Sequence, residues 1–362
     1  MTEKPAHSAL FFLESRDNRL LVGGRPVSEI AQQVGQTPFY VYDRHSIKHR
    51  LRELRAALPG EVHVHYALKA NPMPALVAYL HDKVQGFDVA SAAEMQVALD
   101  AGMDPALISF AGPGKRPAEL RQAIAADIVI NAESETEIER IAQIAAELGR
   151  CPRVAIRVNP DFELKSSGMK MGGGPKQFGI DAERVPDVLK VWDSKVMSFA
   201  GFHIFTGSQN LRPEAIVEAQ TKAVGLAIEL AAHAPGPVEV LNIGGGFGIP
   251  YFPGEGVLDL LPIGENLRHL CSQLTECLPQ TQLVIELGRY LVGEAGYYVC
   301  EVIDRKVSRG EIFLVTDGGI HHHLAATGNF GQVIRKNYPL VVADRVTAEE
   351  TEAVNVVGPC CT

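Results

Sequence analysis

The chain has 362 residues, 46% of them hydrophobic and 21% charged, with a formal net charge of −9. This is the balance of a globular protein with one large and one smaller domain, and without a Lys/Arg-rich run it excludes nucleic acid and anionic membrane surfaces as expected partners. No stretch approaches a membrane-spanning length, "MTEKPAHSAL" has no secretory pattern, and the cysteines at 151, 271, 277, 300, 360 and 361 match no metal spacing or disulfide framework, so a reduced cytoplasmic protein is expected.

Residues 1–38, with "ALFFLE" and "LLVGG", read as strands. Short apolar, β-branched runs then recur at 64–68, 87–90, 108–111, 128–131, 154–159, 199–205, 240–244 and 283–287. Between them lie segments such as "SAAEMQVALDAG" and "SETEIERIAQIAAELGR", apolar at three- and four-residue spacing and closed by glycine. Eight strands alternating with helices over about 250 residues predict a (β/α)8 barrel across 39–287. A doubly wound open sheet is the competing pattern, and periodicity does not separate the two. From 288 to 362 the texture is strand and turn, as in "EIFLVTD" and "EAVNVVG". A second, β-rich domain is expected there, joined by the N-terminal strands.

Unusual residues fall at the C-terminal ends of the predicted barrel strands, where barrels build their chemistry. Lys69 follows the first, Asp88 lies in the second, and Arg157 with Asn159 closes the fifth. His203, Phe205 and Ser208 end the sixth, "GGGFG" (244–248) follows the seventh, and Glu286 with Arg289 closes the eighth. Each has an ordinary reading: a snorkelling lysine, an Asp88–Arg157 ion pair, a core histidine. "GGGFG" lacks the G-x-G-x-x-G spacing of a dinucleotide loop and reads instead as a backbone nest for phosphate. "MGGGPKQFG" (171–179) is either a plain surface loop or a lid. An amine able to form an imine, a phosphate cup, a carboxylate and an aromatic or imidazole ring together suit pyridoxal 5'-phosphate (PLP). Lys69 would hold the aldehyde as a Schiff base and Glu286 would keep the pyridine nitrogen protonated. His321, His322 and His323 invite a metal reading. Consecutive strand residues alternate faces, so at most two would converge; no metal is expected, and the run is taken as a substrate-pocket wall.

Taken as a set, "HYALKANP", "GFDVASAAEMQVALDAGM", "RVNPDFE", "QFGID", "GFHIFTGSQNL", "NIGGGFGIPY", "IELGRYLVGEAG" and "VVGPCCT" resemble the fold-type III PLP-dependent decarboxylases, which include diaminopimelate and ornithine decarboxylase. The resemblance runs from about residue 36 to the last residue. "GPGK", "KSSGMKMGGGPKQFGI" and "TDGGIHHHLAATGNFGQVIRKNYP" are similar to the subgroup called exosortase A system-associated pyridoxal-dependent decarboxylases. The resemblance implies an alanine-racemase-like α/β barrel that binds PLP, a C-terminal β-barrel domain, and a head-to-tail homodimer with shared active sites. It implies Lys69 as the Schiff-base lysine, Asp88 and Arg157 beside the pyridine ring and its phenolic oxygen, and Ser208 with Gly244, Gly245 and Gly246 at the phosphate. Glu286 matches the pyridine-nitrogen partner and Arg289 a contact to phosphate or substrate carboxylate. Cys361, from the neighbouring subunit, matches the acid that reprotonates the substrate carbon. Substrate contacts are expected from Arg289, Thr362 and His322.

Three departures qualify the pattern. Phe205 stands where the family's ring-stacking histidine usually lies, and His203, two residues earlier, shares its strand face. Thr362 replaces an acidic residue that reads a distal ammonium, which argues against ornithine, lysine or diaminopimelate as substrate. The sequence stops at "GPCCT", whereas relatives continue for several dozen residues that complete the β domain. The expected activity is α-decarboxylation of an amino acid: the substrate amine displaces Lys69 to give an external aldimine, carbon dioxide leaves, and Cys361 returns a proton. Decarboxylation of an aminoacyl group on a carrier protein is an alternative that Thr362 permits. A racemase is disfavoured by Glu286, and a PLP-storage protein by the presence of Lys69.

Overall fold

The computed structural model describes residues 14–162, 169–170, 173–324, 338–348, 350 and 352–360. The chain divides into two compact units. One comprises Arg50–Ile249 with Leu258–Gly293; the other takes the residues up to His49, Pro250–Val257 and those from Glu294 onward.

The larger unit is a closed barrel of eight parallel strands: β1 (His63–Ala67), β2 (Gly86–Val89), β3 (Ile108–Phe110), β4 (Val129–Ala132), β5 (Arg153–Asn159), β6 (Ser198–His203), β7 (Val240–Asn242) and β8 (Gln282–Leu287). Each pairs with the next in chain order, and β8 pairs with β1 to close the ring. The open-sheet alternative is therefore excluded. Helices return the chain between strands, and their starts are written locally. Ser91 and Ser134 cap the helices Ala92–Asp100 and Glu135–Leu148 by accepting the backbone N–H of Glu94 and Glu137. Gly149, at φ 60, closes the second helix.

Alternation sorts each strand into two faces. One face carries Tyr66, Phe87, Phe110, Ile130, Ile156, Phe202, Leu241 and Ile285, one per strand and all 0% exposed. The opposite face carries at least one polar residue from every strand: His65, Asp88, Ser109, Asn131, Arg157, His203, Asn242 and Glu286. Register ties these together: Asp88 opposes Ser109, Arg157 opposes His203, His203 opposes Asn242 and Glu286 opposes His65. Small buried residues, Val129, Ala155 and Ala200, form their own cluster. Large apolar side chains thus hold the sheet to its helices, while the barrel interior is a polar ring.

In the smaller unit, Glu14–Arg16, Arg19–Val22 and Arg25–Pro26 form an antiparallel sheet, and Phe39–Tyr42 pairs with Gly296–Val299. Val302–Ser308, Glu311–Thr316 and Asn355–Val357 make a third sheet. Leu20, Val22 and Val27 pack against Val41, Tyr297, Val299, Ala343 and Val346, so early and late parts of the chain share one core.

Candidate active site

Lys69 is carried by a 3-10 turn, Leu68–Ala70, directly after β1. The turn is shaped by its neighbours. Pro72 disfavours helical backbone at Asn71, which is extended at φ −165 and ψ 102, and the Tyr66 hydroxyl donates to the Asn71 carbonyl at 3.0 Å. The strand therefore stops, and the lysine side chain, 54% exposed, stands at the barrel's C-terminal end. Its ammonium donates to Glu286 Oε1 at 2.9 Å. The Glu286 side chain is only 5% exposed, and its second oxygen lies 3.4 Å from His203 Nε2. Burial alone would raise the Glu286 carboxyl; the Lys69 charge and the His203 ring more than offset this and hold it well below the usual carboxylate range. Lys69 is in turn raised above its ordinary value, chiefly by the Glu286 charge.

The two rings left open by the sequence separate by position. Phe205 lies beyond the end of β6, with the Lys69 ammonium 5.4 Å from its ring centroid, and a Cβ on Gly244 would meet its Cδ2 at 2.2 Å. His203 is in β6 beside Glu286, its ring centroid 6.4 Å from that of Phe205.

The glycine loop after β7 is tightly held. Gly244 and Gly246 have φ +66 and +77, and a Cβ on Gly245 would meet the Glu286 carbonyl oxygen at 2.3 Å. Gly244 N donates to Asn242 Oδ1 at 2.8 Å and its carbonyl accepts from Glu286 N at 3.0 Å. Asn210 N donates to the Gly246 carbonyl, and Gly248 N to the Asn210 carbonyl, both at 2.8 Å, so the Ser208 loop and the glycine loop are joined. Gln209 sits between them at φ 58, a conformation a glutamine adopts only where its surroundings hold it. Its Oε1 accepts from Arg289 Nη1 at 3.3 Å.

Arg157 and Asp88 are both buried, yet they do not form the ion pair that was their ordinary reading. Arg157 Nη1 bonds Glu133 Oε1 at 2.7 Å, while Asp88 Oδ2 lies 3.5 Å from His65 Nδ1. Glu133, Lys115, His65 and Gln209 were not singled out from sequence. Glu133 had a signal: it stands between the end of β4 and the capping Ser134, the position from which barrels present functional groups. The glycine-rich stretch 171–179 is only partly described. Its last residue is anchored, since Gly179 N donates to Glu133 Oε2 at 3.0 Å.

Cys361 and Thr362 lie outside the described residues. His322 belongs to the smaller unit, in a turn rather than a strand: the Gly319 carbonyl accepts from both His322 N and His323 N. The strand argument for this run is thus corrected. The His321 and His322 rings lie against each other, centroids 4.0 Å apart, with His321 Nδ1 3.2 Å from Cys360 Sγ, while His323 turns its Nδ1 toward the Tyr40 hydroxyl at 2.9 Å. Among the described residues no group of three His, Cys, Asp or Glu could hold a metal ion.

The residues present suit PLP. Asp88 Oδ1 and His203 Nδ1 are buried without a hydrogen-bond partner, and Asp88 Oδ2, His65 Nδ1 and His203 Nε2 have only the long ionic contacts given above, the mark of a site built for a polar occupant. Around them stand an amine, a buried carboxylate, a buried guanidinium and a glycine loop in which a Cβ at Gly244 or Gly245 would clash.

A closed parallel barrel with a lysine–carboxylate pair and a glycine loop at its C-terminal end is the arrangement expected of a PLP enzyme. Residues 44–293 match the family described as pyridoxal-dependent decarboxylase, pyridoxal binding domain. The chain is 38% identical over 333 residues to the L-glutamyl-[BtrI acyl-carrier protein] decarboxylase of Niallia circulans, covering 90% of this chain and 78% of that one. It is 32% identical over 354 residues to the diaminopimelate decarboxylase of Aquifex aeolicus, covering 97% and 81%. Among solved structures, Helicobacter pylori diaminopimelate decarboxylase complexed with L-lysine is 29% identical with a TM-score of 0.80, covering 92% of this chain and 82% of that one. The chain belongs to the pyridoxal-dependent decarboxylase family and is a PLP-dependent amino-acid decarboxylase.

Proposed function

We propose that the reaction is α-decarboxylation performed at the C-terminal end of the barrel, with Lys69 and Glu286 as its central pair. The observation that carries this is the 2.9 Å contact between an accessible amine and a buried, ionised carboxylate. Lys69 would hold the cofactor's aldehyde carbon, Glu286 its ring nitrogen, and Gly244, Gly245, Gly246 and Ser208 its phosphate. Phe205 would cover the ring, Arg157 and Asp88 would flank it, and Arg289 would hold phosphate or substrate carboxylate. When bound, PLP supplies an aldehyde that joins to amines and a ring that accepts the electron pair left by carbon dioxide.

The protein's part follows from charge. Glu286 stays ionised in a buried setting and so would keep a bound cofactor's ring nitrogen protonated, with His203 3.4 Å from its second oxygen. Glu286 also holds the proton on Lys69, so the amine becomes reactive only as that proton departs. Cys361 of a neighbouring subunit is proposed as the acid that returns a proton to the substrate carbon, in a cytoplasmic homodimer. Lys69→Ala and Cys361→Ala test the two roles separately. The first should lose the visible absorption of lysine-bound cofactor; the second should keep it but slow clean amine release or scramble its stereochemistry.

A second reading concerns the substrate. The 38% identical relative is named for a glutamyl group on an acyl-carrier protein, and the family resemblance puts the neutral Thr362 at the position expected to read a substrate's distal ammonium. An aminoacyl group tethered to a carrier fits both. Measuring carbon dioxide release from free amino acids and from the same residues loaded on a carrier protein decides it. Turnover of free diamino acids alone would remove the tethered reading.

A further inference from the structure

We infer that Glu133 is a positioning residue for this reaction: it aims Arg157 into the barrel's polar ring and ties that aim to the loop ending at Gly179. The inference rests on the reading above that Arg157 flanks the cofactor.

Arg157 is permanently charged, and its side chain is 6% exposed, so it needs a fixed counter-charge. Glu133, 2% exposed, supplies it. Oε1 accepts from Arg157 Nη1 at 2.7 Å and from Gly112 N at 2.6 Å, while Oε2 accepts from Gly179 N at 3.0 Å. One carboxylate therefore joins the segments that follow β3 and β4, strand β5 itself, and the end of the glycine-rich loop. Burial pushes the carboxyl up, but the charges of Arg157 and Lys115 outweigh it and keep Glu133 ionised. Its backbone is held as well, since Glu133 N donates to Glu137 Oε2 at 2.7 Å, and Glu137 is paired with the buried Lys115 at 3.1 Å.

The loop is built to meet this carboxylate. Gly179 has φ +77, and a Cβ there would lie 2.8 Å from Asn159 N, so only glycine brings its N–H this close. The preceding Phe178 stacks on the guanidinium, its ring centroid 4.7 Å from Cζ. Arg157 is thus gripped on one edge by Glu133 and on one face by Phe178. Among the described residues the guanidinium donates to Glu133 alone, which leaves its other N–H groups for an anionic oxygen in the ring.

A role limited to neutralising Arg157 would change folding stability and nothing else. The test therefore uses PLP affinity, by absorbance titration of the full chain, and trypsin cleavage after Lys176 in cofactor-free protein. Glu133→Gln should weaken PLP binding by about tenfold and speed Lys176 cleavage several-fold, but should add no further loss of affinity in an Arg157→Met background. Folded Glu133→Gln with wild-type affinity, or losses that simply add in the double variant, overturns the inference. Should Glu133→Gln not fold, Glu133→Asp carries the test, because it keeps the charge and shortens the reach: unchanged affinity and cleavage overturn the inference, and weakened affinity with faster cleavage supports it. Arg157→Met with unchanged affinity overturns it through the reading of Arg157. A normal Arg157 effect with a silent Glu133 overturns it at Glu133 alone.

Discussion

Lys69 and Glu286 meet at 2.9 Å across the seam where β8 closes on β1, and His203 stands 3.4 Å from the carboxylate's other oxygen. One buried charge thus serves an exposed amine on one side and an imidazole on the other. Glu286→Gln keeps the shape and removes that charge. Carbon dioxide release should fall on the order of 10²-fold with PLP still bound, measured by single-turnover kinetics on cofactor-saturated protein. A rate within threefold of wild type would remove Glu286 from the mechanism.

The same pair gives capture of PLP a pH dependence of known sign. Glu286 raises the Lys69 value, so the protonated amine is favoured and the nucleophilic free base is scarce near neutrality. The rate at which cofactor-free protein takes up PLP should therefore climb by about tenfold per pH unit above neutrality. In Glu286→Gln, capture near neutrality should be faster than in wild type. A flat stopped-flow profile would contradict this. The pair's contribution to stability has the opposite edge: Glu286 is lowered, so its contribution is complete above the ordinary carboxyl range and is lost as pH falls through its folded value.

Gly244→Ala places a Cβ 2.2 Å from the Phe205 ring on a backbone at φ +66. Phe205 must move, and the backbone is strained by about 1–3 kcal/mol. PLP affinity should drop by an order of magnitude or more, while Gly60→Ala, which meets nothing within 4 Å, should leave it unchanged. Equilibrium dialysis of both variants checks this.

Phe205 and His203 should fail differently. Phe205→Leu removes the ring beside Lys69 and should weaken PLP binding. His203→Gln leaves that face intact and should shift the pH profile of the reaction through Glu286, with affinity nearly unchanged. Equal losses of affinity in both variants would mean that the two rings share the stacking role.

Much of the barrel was legible because its signals are local. Each strand is a short apolar run, and Ser91 and Ser134 announce their helices by capping. Lys69 alone read as a snorkelling lysine; it was legible as a site residue because other unusual residues fall at the ends of the neighbouring strands and because the motif "HYALKANP" resembles the family's. Glu133 was not, since a lone glutamate before a helix cap reads as ordinary helix-start charge. Its importance arises only when β4 and β5 lie side by side and bring Arg157 and Gly179 to it. The Asp88–Arg157 pairing failed for the same reason: residue type allows it, but strand order gives Asp88 to His65 and Arg157 to Glu133.

By itself, then, the sequence determined which residues could carry chemistry and that they lie at strand ends, because periodicity and turn residues act over a few positions. Tertiary structure alone decided which of them meet. Closing the sheet turned eight separate polar residues into one ring, placed Glu286 between Lys69 and His203, and moved Phe205 to the lysine's side. Contacts between residues far apart in sequence depend on register and barrel closure, and no local pattern encodes either.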